Sequence, residues 1–200
     1  MSTVSGRDTG ELLRALASEL ELASCAPLEL CVIGGAALAV LGLVDRPTKD
    51  IDVVALGDAS SGTLVVRKSK PLPETLAAAV RAVAAQYGIE DSWLNAGPGD
   101  LMDWGLPAGF EERLQAIEYG RALRVHYASR LDQVCFKTYA AADVAGRHLT
   151  DLIALAPAPA EMDLAFRWAV SQDPSPGFRI QLEGLADYLG VRDVLDRIEG

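Results

Sequence analysis

Residues 28–56 constrain the fold of this chain most, because apolar runs alternate there with sharp breaks. An apolar run at 30–33 ends at Gly34 and Gly35. A small apolar segment fills 36–43, and a charged turn then leads into a second apolar run. Short apolar runs bounded by turn residues are typical of buried strands, and the segment between them is typical of a short helix. The order strand, glycine turn, helix, turn, strand is therefore predicted.

The glycine pair lies where the predicted strand meets the predicted helix. Because glycine lacks a Cβ atom, the backbone can turn sharply there and a ligand can approach it closely. The N–H groups of the first helical turn, at about 35–38, then face an anion, and the helix dipole adds to the attraction. Two interpretations follow from the residues alone: Gly34 and Gly35 form a phosphate-binding site, or they form only a tight turn.

Asp50 and Asp52 are separated by one apolar residue at the start of the second run. Alternate residues of a strand share a face, so both carboxylates point one way while Ile51 and Val53 point into apolar packing. Two neighbouring carboxylates repel each other, and a cation between them relieves the repulsion. Mg²⁺ prefers oxygen ligands and bridges nucleotide phosphates in many enzymes. The pair is either a metal site or a solvated strand end, and the glycine turn upstream favours the metal site.

The order apolar strand, Gly-Gly, short helix, Asp-apolar-Asp-apolar resembles the signature of the polymerase-β-type nucleotidyltransferase superfamily. The segment VIGGAALAVLGLVDRPTKDIDVV resembles in particular the AbiE-type nucleotidyltransferase-like proteins, many of which are toxins of toxin–antitoxin pairs. The resemblance implies that Gly34 and Gly35 hold phosphate and that Asp50 and Asp52 hold Mg²⁺ or Mn²⁺. It also implies a nucleoside triphosphate (NTP) as substrate and a cognate antitoxin as partner.

Lys137 is conspicuous within a mostly apolar helical segment, and Asp151 follows fourteen residues later. Such a lysine either reaches the surface or pairs with a buried partner. The two side chains meet only if the chain folds back at Gly146, because a continuous helix would separate them by roughly 21 Å. Residues 134–155 are similar to the AbiE-type proteins. That similarity implies that Lys137 contacts phosphate or the attacking group, that Asp151 orients it, and that Arg147 faces phosphate.

The same resemblance has one departure. Polymerase-β-type enzymes commonly carry a third carboxylate on a later strand, and residues 123–127 offer none, while Glu118 is a poor substitute. Three functions stay open on the sequence. The first is transfer of a nucleoside monophosphate (NMP) to an acceptor hydroxyl of tRNA or a protein side chain. The second is nucleotide binding without turnover, and the third is nucleotidylation of a small molecule, as in aminoglycoside modification.

Charge limits the kinds of partner. The net charge of −10 argues against a broad nucleic-acid surface, which needs clustered Lys and Arg. Arg46 and Lys49 nevertheless flank the predicted site and are candidates for nucleotide binding. The densest basic patch, formed by Arg67, Lys68 and Lys70, is either a solvated loop or a clamp for phosphates.

Composition and periodicity predict a cytoplasmic α+β protein without a membrane span. Three scattered cysteines in apolar sequence predict reduced core thiols. The first nine residues show no apolar period, and an amphipathic helix is predicted at 11–23. The sheet is predicted to be mixed, with four to six strands and flanking helices. The resemblance implies a nucleotidyltransferase-like core at 1–127.

The C-terminal part, at 128–200, is predicted to be a helical cluster packed on that core. Its first helix is predicted at 131–142, with a break at Gly146 and resumption from Thr150. The boundary after residue 127 is not sharp, and a single domain fits the same pattern.

Overall fold

The computed structural model describes residues 6–59 and 62–198 of the chain. These residues form two compact units. The first comprises the described residues up to Asp103 together with Gly109–Ser129. The second comprises Trp104–Ala108 together with the described residues from Arg130 onward. Each unit has its own secondary structure and is described separately below.

The first unit combines strands with helices in the order that the segment 28–56 predicts. Two short 3₁₀ helices occur as well, at Asp91–Trp93 and Gly97–Asp103. The elements of the described part are α1 (Gly6–Leu22), β1 (Leu28–Ile33), α2 (Gly34–Val40), β2 (Ile51–Asp58), β3 (Val65–Lys68), α3 (Glu74–Tyr87), β4 (Leu94–Asn95), α4 (Phe110–Arg113), β5 (Gln115–Tyr119) and β6 (Leu123–Tyr127).

Six strands of the described residues form one mixed sheet. The order across the sheet is β3-β2-β1-β6-β5, and the two-residue β4 pairs with β2 beside the start of that strand. β1 runs antiparallel to β2 and parallel to β6, while β5 and β6 form the predicted antiparallel hairpin. The α+β class and the mixed sheet predicted from the sequence are confirmed.

The apolar core of the first unit lies on one face of this sheet. Alternate residues of the central strands, such as Leu30 and Val32 of β1, pack there against the apolar sides of α1 and α3. Ile51 and Val53 of β2 belong to the same core. Since side chains alternate across a strand, Asp52 between them belongs to the opposite face. The burial of its two neighbours thus fixes the side of the sheet on which Asp52 lies.

The second unit is helical apart from its connections. Pro159 and Pro176 each lie in the first turn of their helix, where a missing N–H costs no hydrogen bond. The Ser175 hydroxyl accepts a hydrogen bond from the Phe178 N–H at 3.2 Å and caps one helix. The described helices are α5 (Arg130–Asp143), α6 (Gly146–Leu155), α7 (Pro159–Gln172), α8 (Pro176–Leu189) and α9 (Arg192–Asp196).

Two predicted helix starts are wrong. α1 begins at Gly6 instead of residue 11, so the irregular structure expected for residues 1–9 is wrong from Gly6 onward, and residues 1–5 lie outside the described part. α6 begins at Gly146 instead of Thr150, because Gly146 takes a positive φ of 43° and the helix follows at once.

Residues 104–108 pack with α7, where the Gly105 carbonyl accepts hydrogen bonds from Trp168 Nε1 at 3.0 Å and Gln172 Nε2 at 2.8 Å.

The three cysteines have free thiols, with Cys31 and Cys135 buried and Cys25 half-buried. Burial raises the pKa of the Cys31 thiol to about 12, so this sulfur stays protonated and unreactive at neutral pH. Among the described helices, none is both long and apolar enough to cross a membrane.

Candidate functional site

The turn between β1 and α2 strongly favours glycine at its first position. Gly34 takes a φ of +73°, a left-handed conformation that other residues adopt at a cost. A Cβ atom on Gly34 would lie 2.8 Å from Oδ2 of Asp52. A Cβ atom on Gly35 would lie 2.6 Å from Oγ1 of Thr48 and 3.3 Å from Nη2 of Arg46. The missing side chains therefore let residues from the 46–52 segment approach the turn closely.

We expect Gly34→Ala to destabilise the protein by more than the roughly 1–2 kcal/mol that a left-handed conformation alone costs a non-glycine residue. The added methyl group also displaces the Asp52 carboxylate. Gly42→Ala is the matched control, because Gly42 has a φ of +65° but no atom within 4 Å of its Cβ position. Urea denaturation of both variants measures the difference, and equal losses would show that Asp52 does not press against the turn.

Asp52 is the second residue of β2 and lies between two neighbouring strands. Ile33 of β1 pairs with it on one side and Asn95 of β4 on the other. Its Oδ2 faces Gly34, and its Oδ1 accepts a hydrogen bond from Asn95 Nδ2 at 3.3 Å. The half-buried carboxylate thus lies at the glycine turn, as the sequence predicts for this residue.

Asp50 immediately precedes β2 and is half-buried. The hydroxyl of the buried Thr48 donates a hydrogen bond to the Asp50 carbonyl oxygen at 3.1 Å and so holds the backbone before the strand. Among the described residues, no group of three or more His, Cys, Asp or Glu side chains has a metal-binding arrangement. An ion held by Asp50 and Asp52 would take its other ligands from water and phosphate, a donor set that suits Mg²⁺.

The two predicted basic neighbours differ in exposure. Arg46 is half-buried, its Nη1 donates to the Pro47 carbonyl at 3.2 Å, and its Nη2 lies beside Gly35. Lys49 is exposed. Arg46 is therefore the cation that the structure brings to the glycine turn.

The patch formed by Arg67, Lys68 and Lys70 is partly neutralised by the chain itself. Lys68 Nζ lies 2.7 Å from Asp103 Oδ2 and 3.0 Å from Asp100 Oδ1, and Lys70 forms an ion pair with Asp100. Hydrogen bonds from Lys70 and Lys68 hold the pKa of Asp100 below its ordinary value. These contacts favour a charged surface segment over a phosphate clamp.

Lys137 and Asp151 form an ion pair inside the second unit. Lys137 Nζ lies 2.8 Å from Asp151 Oδ2, and the side chains are 5% and 0% exposed. α5 and α6 pack against each other after the chain reverses near Gly146, so the predicted contact is present. Arg147 is exposed in the first turn of α6. The catalytic role of these residues stays a prediction.

Residues 11–153 match a protein family described as "Nucleotidyltransferase of unknown function (DUF6036)". The match covers more than two thirds of the chain and includes the glycine turn, both aspartates and the Lys137–Asp151 pair. The chain belongs to the DUF6036 family. Comparison with curated proteins and with solved structures found no match. The predicted nucleotidyltransferase relationship is thereby confirmed for the family, and the AbiE-type relationship stays a prediction.

Two residues that form hydrogen bonds with the aspartates of this DUF6036 protein are not among those predicted from the sequence. Thr48 lies two residues before Asp50, a spacing at which a hydroxyl commonly bonds the local backbone. Its role was therefore within reach of sequence reasoning. Asn95 lies 43 residues from Asp52, and only the pairing of β4 with β2 brings the two together.

Proposed function

We propose that this DUF6036 protein is a metal-dependent nucleotidyltransferase that acts in the cytoplasm. It transfers NMP from an NTP to an acceptor hydroxyl. The acceptor oxygen bonds to the α-phosphorus, the bond from that phosphorus to the oxygen bridging the α and β phosphates breaks, pyrophosphate leaves, and the hydroxyl proton passes to water. The observation that carries the proposal is the Asp52 carboxylate lying against the Gly34 turn, in a chain whose family is described as nucleotidyltransferases.

Asp50 and Asp52 are the residues that would hold Mg²⁺ or Mn²⁺, and the ion supplies positive charge beside the phosphates when it is bound. Gly34 and Gly35 are proposed to bind phosphate at the turn, as the family resemblance implies. Arg46, whose guanidinium lies beside Gly35, donates hydrogen bonds to phosphate oxygens, and Lys49 adds an exposed positive charge. Charge-assisted bonds from Arg to phosphate are among the strongest in proteins.

Lys137 and Arg147 are proposed as further cations of the reaction. The Asp151 carboxylate at 2.8 Å favours the charged form of Lys137, since an opposite charge nearby stabilises an ion. A fixed positive charge offsets the negative charge that develops on phosphate oxygens during transfer. Asp151 acts in this scheme by orienting Lys137.

The acceptor is proposed to dock locally, without a broad nucleic-acid surface. The net charge is −10, and Lys68 and Lys70 are engaged by Asp100 and Asp103. The 3′ end of tRNA, a protein side chain and a small molecule all meet this requirement. Modification of tRNA or of a protein fits a toxin with a cognate antitoxin, as in the AbiE-type proteins.

Incubation with each α-³²P-labelled NTP and Mg²⁺ tests the proposal, with total tRNA, a protein extract or an aminoglycoside as acceptor. We expect label to pass to one acceptor class from one preferred NTP. The Asp50→Asn, Asp52→Asn double variant should transfer none. Transfer by the double variant at the wild-type rate would overturn the assignment of the aspartates.

The second candidate is a nucleotide-binding module without turnover. It is favoured by the lack of a third carboxylate beside the aspartates among the described residues and by the amide of Asn95 on the neighbouring strand. Equilibrium dialysis with the same NTPs separates the candidates. Saturable NTP binding without transfer to any acceptor class supports the module.

A further inference from the structure

Asn95 lies on the neighbouring strand and contacts Asp52 through the NH₂ group of its side-chain amide. Its Nδ2 donates to Asp52 Oδ1 at 3.3 Å, near the long end of a hydrogen bond. Register places Asn95 directly opposite Asp52 on the parallel pair of β4 and β2. The second oxygen of Asp52 remains on the side of Gly34.

The carbonyl oxygen of the same amide determines that the NH₂ group, and not the oxygen, faces the aspartate. Asn95 Oδ1 accepts a hydrogen bond from the Gly97 N–H at 2.8 Å. A rotated amide would turn its NH₂ group toward that N–H, leaving two donors face to face and a carbonyl oxygen facing the carboxylate. Asn95 therefore presents a donor to Asp52. A Cβ atom on Gly97 would lie 2.9 Å from Asn95 Oδ1, so the glycine permits this close contact.

Ion pairs hold the segment that follows Asn95 against β3 and the residues just after it. Lys68 and Lys70 pair with Asp100 and Asp103 of the 3₁₀ helix at Gly97–Asp103. A Cβ atom on Gly99 would lie 2.9 Å from the hydroxyl oxygen of Ser69, so this helix lies close on the end of β3. The Ser69 hydroxyl in turn donates to the Val53 carbonyl of β2 at 2.9 Å. These contacts hold the Asn95 loop against the strand that carries Asp52.

We propose that Asn95 is a positioning residue for Asp52. Its N–H binds Oδ1 of the carboxylate and so fixes the direction in which Oδ2 faces Gly34. The inference rests on the proposed function, in which Asp52 holds the metal ion. Residues that hydrogen-bond a metal ligand commonly change metal affinity by 10–100-fold when they are replaced.

Magnesium affinity measured by calorimetry is the first test. We expect Asn95→Ala to weaken Mg²⁺ binding by roughly tenfold or more, and Ser92→Ala, an exposed change nearby, to leave it unchanged. Asp52→Asn separates this inference from the proposed function. If Asp52→Asn abolishes Mg²⁺ binding while Asn95→Ala changes it less than twofold, only the positioning role is overturned. If neither variant changes the affinity, the metal site and the positioning role both fail.

Nuclear magnetic resonance provides a second test, because the side-chain signal of Asn95 would not respond to Mg²⁺ if this residue only supported the fold. Asn95 is the only asparagine in the sequence, so selective labelling with [¹⁵N]asparagine yields one side-chain NH₂ pair. We expect that signal to move on addition of Mg²⁺ and to lose the response in Asp52→Ser. A signal that ignores Mg²⁺ would overturn the contact.

Asn95→Asp is a second variant, for the case that Asn95→Ala fails to fold. Its carboxylate keeps an oxygen that accepts the hydrogen bond from the Gly97 N–H. It places a second carboxylate beside Asp52, which destabilises the metal-free protein at neutral pH because like charges repel. Mg²⁺ should then raise the melting temperature of this variant more than that of the wild type. An equal rise in both proteins would show that residue 95 does not face Asp52.

Discussion

Lys137→Ala is expected to lower the free energy of unfolding by about 3–5 kcal/mol, because it leaves a buried carboxylate without its cation. Asp151 is fully buried and Lys137 nearly so, so bulk solvent does not screen the charge that is left without a partner. The sequence left open whether Lys137 reaches the surface or pairs with a buried partner, so this loss of stability could not be predicted from it. Urea denaturation followed by circular dichroism measures the loss.

Lys68→Ala is the matched control for this change. Lys68 also pairs with carboxylates, but its side chain and those of Asp100 and Asp103 are exposed. Solvent screens such pairs, and their removal usually changes stability little. Equal losses in Lys137→Ala and Lys68→Ala would contradict the buried pair.

Removing both charges of the pair together separates stability from catalysis. Replacement of a buried ion pair by apolar residues of similar volume is often neutral or stabilising. Lys137→Met, Asp151→Val should therefore recover much of the stability that Lys137→Ala loses. We expect this folded double variant to transfer no nucleotide, because the proposed cation is gone. If it transfers nucleotide at the wild-type rate, the pair serves only the fold of the second unit.

The sequence predicts best what is encoded locally. The strand, glycine turn, helix and strand at 28–58 follow from apolar periods and from Gly34, which must take a positive φ. The hairpin of β5 and β6 follows from alternation around a turn. In each case a few neighbouring residues carry the whole signal, and the structure has the element where the pattern predicts it.

Contacts between distant segments are what the sequence could not supply. The Asn95 contact with Asp52 depends on a parallel pairing of only two residues in β4, too short for a periodic signal. The engagement of Lys68 by Asp103, 35 residues away, decides whether a basic patch is free, yet composition reports only the patch. The Lys137–Asp151 contact was predicted through a family resemblance, because spacing alone placed the two side chains far apart on one helix.

Mg²⁺ or Mn²⁺ is expected to raise the melting temperature of the protein, and the Asp50→Asn, Asp52→Asn variant is expected to lose that response. A ligand that binds only the folded state stabilises it, by about 2.7 kcal/mol at a concentration 100 times its dissociation constant. The metal-free variant should be at least as stable as the metal-free wild type, because neutral amides remove the repulsion between two neighbouring carboxylates. The two effects have opposite signs, so a misfolded variant cannot imitate the result.

The control variant removes two negative charges at a different place in the chain. Asp100→Asn, Asp103→Asn changes the net charge equally but acts on the exposed carboxylates paired with Lys68 and Lys70. Because those carboxylates are already engaged by cations, this variant should keep the full response to Mg²⁺. If both double variants lose the response to the same extent, the ion binds diffusely to an acidic surface of net charge −10, and Asp50 and Asp52 are not its site.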